Sequence, residues 1–168
     1  NVALGAVVIY LIFRESRTYG DIFSMSKYPV TVSIAGDSGV GKDSLTSEIA
    51  AFFSEFETAL LYGDDYHLYE RGQVNWLQTT HLSINANNLD LMGRDFISLR
   101  SRKAIHVRHY DHKFGKFTAK RIVKPSQVII ANGLHSLMFP GSEKSDVRVF
   151  LSMDEELRIA LKMNRDSS

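Results

Sequence analysis

Residues 30–35, Val-Thr-Val-Ser-Ile-Ala, are a short apolar, β-branched run, and residues 36–44 continue it as Gly-Asp-Ser-Gly-Val-Gly-Lys-Asp-Ser. Leu45, Ile49, Ala50 and Phe53 then follow at helical spacing. Strand, glycine loop and helix in that order leave few folds open, because G-x-x-x-x-G-K makes a phosphate site only in that context. Gly36, Gly39 and Gly41 admit backbone angles closed to other residues, so successive N–H groups can point into one concavity. The whole stretch is then a candidate cradle: Gly36, Asp37, Ser38, Gly39, Val40, Gly41, Lys42, Asp43 and Ser44. The helix N-terminus adds partial positive charge, and Lys42 can reach the outer phosphates. The chain reads as one that binds a nucleoside triphosphate, or that descends from one that did.

The usual motif has Ser or Thr directly after the Lys, where the hydroxyl ligates Mg²⁺. Here Asp43 holds that place and Ser44 comes one later. A carboxylate is a good ligand for a hard cation. It also sets a further negative charge beside the phosphates, a repulsion that the metal would have to offset.

At 168 residues the chain is long enough for one α/β domain and short for two. A net charge of +1 gives no whole-molecule basic field, which argues against nucleic acid as a partner. Cysteine is absent, so disulfides, thiol catalysis and Cys-based metal sites are excluded. That absence fits a reducing compartment, and the expected location is the cytoplasm.

The chain begins with Asn, and residues 2–13 are uniformly apolar before Arg14 and Arg17, which reads as part of a longer protein. The run is shorter than the ~18–20 residues of a membrane span. It is either the end of a span with the arginines as cytoplasmic anchors, tethering the domain to the inner face of a membrane, or an apolar element packed on the domain. Residues 1–27 are thus an N-terminal segment and linker, and 28–168 the folded domain.

Within that domain the first helix is expected to run to about Phe56, and residues 58–62 form a second buried strand ending in Gly63-Asp64-Asp65. Residues 66–85 show little periodicity and read as a long functional loop. Residues 88–100 suit a helix. Alternation on both sides of 111–116 predicts a β-hairpin. The continuous apolar run 127–131 marks a parallel strand buried on both faces. A further strand spans 146–151, and a final helix starts at 153–156. Strands alternating with helices point to a parallel sheet with ligands at the strand carboxyl ends.

Asp64 lies where the second strand ends, at the same sheet edge as the glycine loop. A carboxylate there can accept the proton of an attacking hydroxyl or hold Mg²⁺. Tyr66, His67 and Arg71 follow closely, and Arg is suited to bidentate phosphate recognition. An acceptor that already carries phosphate is therefore expected.

These segments together resemble the phosphoribulokinase/uridine kinase group of P-loop kinases, and more closely its phosphoribulokinases. The resemblance runs from about Tyr28 to Asp166 through residues 35–42, Asp64-Asp-Tyr-His67 with Arg71, Thr80-His81 followed by 86–92, Tyr110-Asp-His112, Gly133-Leu-His135 and Lys162-Met-Asn-Arg-Asp166. It implies a three-layer α/β P-loop kinase fold with a mostly parallel central sheet and the hairpin on the substrate side. It implies ATP and Mg²⁺ as cofactors, with Asp64, Lys42 and Arg165 as catalytic residues and Asp64 as the base. His67 and Arg71 match residues that hold a sugar phosphate. Tyr110 and His112 match the substrate-side hairpin, and Lys162 and Arg165 match basic residues near the transferring phosphates. Tyr66 and His81 fall in matched substrate-side segments; His106, His109 and His135 are left to structure.

Two departures stand out. The family has Glu before Gly-Leu-His, where it helps hold Mg²⁺; this chain has Asn132. Either the carboxylate has moved to Asp43, leaving Asp43 and Asp64 as metal ligands, or the site has decayed. In the family, Arg165-Asp166 also leads into a lid and last elements that are absent here. The expected activity is transfer of the ATP γ-phosphate to a hydroxyl of a pentose phosphate or nucleoside-like acceptor. The alternative is a catalytically impaired nucleotide-binding or regulatory module, possibly membrane-tethered. Oligomeric state is left open.

Overall fold

In chain order the elements are β1 (Val30–Gly36), α1 (Lys42–Phe52), β2 (Thr58–Tyr62), α2 (Val74–Gln78), α3 (Leu89–Arg100), β3 (Ile105–Asp111), β4 (Lys116–Val123), β5 (Val128–Asn132) and β6 (Val147–Leu151). The computed structural model describes residues 28–53, 58–157 and 163. The apolar segment 1–13, its linker, Lys162 and Arg165 lie outside the described residues. No helix among the described residues is long and apolar enough to cross a membrane.

Four strands pair in parallel in the order β2-β5-β1-β6. β5 is central, and all of its residues are buried, as its unbroken apolar run requires. The two-residue strand period then sorts the side chains. Val128 and Ile130 join Val32, Ile34, Leu45, Ile49 and Phe53 in a core under α1. Ile129 and Ala131 join Ala59, Leu61, Met92, Phe96 and Leu99 in a second core under α3. Helix, sheet and helix make the three layers. Truncating a side chain such as Ile130, which is fully buried, is expected to cost about 2–5 kcal/mol.

The same period decides where Asn132 goes. It falls on the face of Val128 and Ile130, opposite Ile34 of β1, and so on the side of α1.

β3 and β4 form a separate antiparallel hairpin with a bulge between Arg108 and Tyr110. Ile105, Val107 and Val123 root it in the α3-side core. Asp65 pins its other end. That carboxylate accepts from Tyr110 N–H at 2.8 Å, from Arg121 at 3.0 Å and from His109 Nδ1 at 3.2 Å. Because Asp65 sits in the 3₁₀ turn Gly63–Tyr66 that ends β2, the clamp fixes the hairpin against the turn that also carries Asp64.

The stretch 66–85 is not loop throughout. It contains the short helix α2 and ends in the 3₁₀ turn Ile84–Ala86. α2 buries none of its residues, so it leaves no apolar periodicity to read.

Candidate active site

Gly36 closes β1, and a Cβ there would lie 2.3 Å from Leu151 O, so the strand must end on glycine. Gly39 and Gly41 have φ of 87° and 91°, the left-handed region that turns the loop back on itself. Gly41 is also the N-cap of α1, and no side chain caps that helix. The first-turn N–H groups are left for a ligand, and an anion suits them. Val40 is buried beneath the loop, so its side chain serves packing while its backbone shapes the turn.

Lys42 Nζ donates to Asp37 O at 2.7 Å, which folds the ammonium over the loop. Burial lowers its pKa, and Asp43, Asp64 and Asp37 oppose that shift. Asp43, in the first turn of α1, accepts a 2.8 Å hydrogen bond from Asn132 Nδ2. A carboxylate only accepts, so the amide orientation is set, and Asn132 Oδ1 is left buried with no partner among the described residues. The two positions at which this chain departs from the pattern it resembles are therefore in direct contact.

Asp64 sits at the carboxyl end of β2, in the turn that follows it. His112 Nε2 lies 2.9 Å from its Oδ2 and His67 Nε2 lies 3.4 Å from its Oδ1. Partial burial alone would raise the Asp64 pKa. The hydrogen bond from His112 and the charges of His67, His112 and His81 outweigh it and hold the carboxyl below its ordinary value. The same bond raises His112. His81 is pushed down, first by burial and then by His67.

Arg71 is tied to the hairpin tip. Its N–H donates to Gly115 O at 2.8 Å and its guanidinium donates to His112 O at 3.1 Å. Glu70 adds a bond from Phe117 N–H at 2.9 Å. The loop after Asp64 and the hairpin thus form one wall.

A cleft of about 800 Å³ joins the two sides. Ser38, Gly39, Lys42 and Asp43 line one end; Asp64, His67, Arg71, His81 and His112 line the other, with Asn132 between them at the sheet edge. That size suits a small-molecule site.

Two expected acceptor contacts need correction. Tyr66 is 1% exposed and donates its hydroxyl to Asp95 at 2.9 Å, which makes it a core residue and not a cleft residue. Tyr110 is buried behind the wall, its ring against His67 at 4.9 Å and His112 at 5.3 Å. It supports the two imidazoles and does not line the cleft. In the other direction, His135 and Asn87 line it although the sequence pattern gave them no role. Both stood in matched segments, which was the available signal.

Residues 31–168 match the Phosphoribulokinase / Uridine kinase family. The chain is 33% identical over 138 residues to a phosphoribulokinase of Synechocystis sp., a match covering 82% of this chain and 42% of that one. It is 28% identical over 146 residues to a uridine kinase of Latilactobacillus sakei, covering 85% and 69% respectively. The structure of phosphoribulokinase from Rhodobacter spheroides superposes with a TM-score of 0.67 at 20% identity, over 84% of this chain and 57% of that one. The chain spans about two fifths of the length of the phosphoribulokinases it matches. A parallel sheet of order β2-β5-β1-β6, a glycine loop at its edge and this sequence match together make the chain a member of the phosphoribulokinase/uridine kinase family of P-loop kinases.

Proposed function

We propose that this protein transfers the γ-phosphate of ATP to an alcohol hydroxyl of a small acceptor, a pentose phosphate or a nucleoside-like molecule. The observation that carries the reading is Asp64: an ionised carboxylate, flanked by two imidazoles, in the same cleft as Lys42 and the uncapped start of α1. In this reading the loop N–H groups and Lys42 hold the triphosphate and neutralise charge that builds on the transferring group. Asp64 accepts the proton of the attacking hydroxyl. Its imidazole neighbours hold the pKa below the ordinary carboxylate value, so it meets the hydroxyl as the carboxylate. Arg71 grounds a phosphate already on the acceptor, which favours phosphorylated sugars. Lys162 and Arg165 complete the set of cations in this reading.

The donor set fits Mg²⁺. Hard cations take oxygen ligands, and the carboxylates of Asp43 and Asp64 both line the cleft, with the Asn132 amide bonded to the first of them. Asp43 and Asp64 would hold the ion or its water shell, and when bound it would neutralise the phosphates. The contact between Asp43 and Asn132 favours a carboxylate relocated from position 132 to 43 over a decayed site. An amide that holds the new carboxylate in place is a compensation; a decayed site needs none.

An acceptor screen on the full-length protein, scored by ADP release, tests the activity. Release that depends on a phosphorylated pentose or a nucleoside is expected. Tight MgATP binding with no acceptor-dependent release from any alcohol would favour the nucleotide-binding module instead, the reading that Asn132 in place of Glu supports.

A further inference from the structure

His67 and Asn87 face each other across a short antiparallel bridge. Leu68 N–H donates to Ala86 O at 2.9 Å and Asn88 N–H to Tyr66 O at 2.8 Å, so the bridge bonds flank the pair without joining it. That is the arrangement in which opposed side chains come closest. Asn87 Nδ2 donates to Ser83 O at 2.7 Å and to His81 O at 3.1 Å. Both partners are carbonyls, which only accept, so the amide cannot be turned over. Its Oδ1 is therefore the atom 2.7 Å from His67 Nδ1, and because Oδ1 also only accepts, Nδ1 carries the proton. Nε2 is the nitrogen left to face Asp64 Oδ1 at 3.4 Å. The His67 ring is 4% exposed and packs edge-on against Tyr110, so it has no room to turn over.

We propose that Asn87 is a positioning residue: it locks His67 in the Nδ1–H form, so that the Nε2 lone pair, beside Asp64, is what the ring offers to the acceptor. The same amide closes the 81–83 turn and sets the His81 ring 5.6 Å from that of His67. The consequence is a rule for what His67 can bind. With Nδ1 committed to the Asn87 amide oxygen, Nε2 is the one ring nitrogen left to meet the acceptor, and it meets an O–H by accepting. This inference rests on the reading that His67 touches the acceptor, but the tautomer is set without any ligand.

The test is long-range ¹H–¹⁵N correlation on the acceptor-free full-length protein, at a pH well above the ordinary histidine value of about 6.5. Wild type is expected to show His67 with a pyrrole-type Nδ1 and a pyridine-type Nε2. Asn87→Ala should mix the two tautomers, raise the acceptor KM or lower kcat about 10-fold, and leave MgATP affinity unchanged. That loss corresponds to one hydrogen bond of about 1.4 kcal/mol. Asn87→Asp keeps an acceptor oxygen at Nδ1 but loses both N–H donors, so it should retain the tautomer and release the 81–83 turn. If Asn87→Ala fails to fold, the wild-type spectrum and Asn87→Asp still decide. An Nε2–H tautomer in wild type, or a His67 spectrum unchanged in Asn87→Ala, would overturn the proposal. So would full acceptor turnover by a variant whose tautomers are mixed. Should no acceptor ever be phosphorylated, the kinase reading fails while the spectrum still reports on Asn87.

Discussion

The two ends of the cleft are built in different ways. The end proposed for the nucleotide is a consecutive piece of chain, the turn from β1 into α1, and the groups it offers are largely backbone N–H. The acceptor end brings together the turn after β2, the 81–87 segment and the hairpin tip; Arg71 and His112, for instance, are 41 residues apart. Its working groups are side chains, and each is held in place: Asp64 by His112, His67 by Asn87, and Arg71 by backbone carbonyls of the hairpin. A backbone site tolerates change in what surrounds it. A site of interlocked side chains changes its substrate when one member changes, so in the proposed reading acceptor choice belongs to the second half.

The sharpest way to break this division is at Asp64, which both ends reach. Asp64→Asn should lower kcat by about 10²–10⁴-fold, the usual loss of a general base, with a much smaller loss of MgATP affinity by isothermal titration from its share in holding the ion. A matching loss of ATP affinity would place Asp64 at the nucleotide end alone.

A crossed pair of variants comes next. Lys42→Ala should weaken ATP binding by about 10–100-fold, the range of one or two charge-assisted hydrogen bonds, and leave acceptor affinity alone. Arg71→Ala should raise the KM for a phosphorylated acceptor by a similar factor, do little to an unphosphorylated one, and spare ATP. If either variant moves both affinities equally, the two ends are not separate.

The Asp43 and Asn132 pair sharpens the metal side. Asp43→Ser should raise the Mg²⁺ needed for nucleotide binding, and adding Asn132→Glu should recover much of the loss. A coupling of about 0.5–3 kcal/mol is expected for groups that touch and share an ion. Additive effects at fixed free Mg²⁺, or tighter ATP binding in Asp43→Ser, would end the idea of a relocated ligand.

The smallest effect concerns pH. Asp64 is held below its ordinary value, so what its partners contribute is lost as pH falls through that depressed value. His112 is held above its own, so its contribution is present below the ordinary histidine range and lost as pH rises through the raised value. The pair is intact between those two points. His112→Asn removes the 2.9 Å bond and should move the acid limb of kcat/KM upward. An unmoved limb would mean that His112 does not tune the base.

The contrast between the two ends also explains what could be read from the sequence. The β1–loop–α1 unit and the buried strand β5 follow from local pattern, because their physics is local: backbone angles, strand period, unbroken apolarity. The hairpin was legible for the same reason. Tyr66 was not, since its neighbours in sequence are site residues while its own side chain turns into the core toward Asp95. Asn87 lay in a matched segment, but its role was not legible, because the bridge that sets it opposite His67 joins segments with no shared periodicity. The contact of Asp43 with Asn132 lies between these cases. The family resemblance put both near a metal, but only the sheet register turns Asn132 toward α1.

The most direct measurement of the central claim, that both ends of the cleft serve one phosphoryl transfer through Asp64, is the fate of a labelled γ-phosphate. Full-length protein would be given MgATP carrying a radioactive γ-phosphate and an acceptor drawn from the screen, with Asp64→Asn run alongside. The account predicts label on a hydroxyl of the acceptor, and almost none with Asp64→Asn although that variant still binds MgATP. Label released only as inorganic phosphate, or transfer that survives in Asp64→Asn, would contradict it.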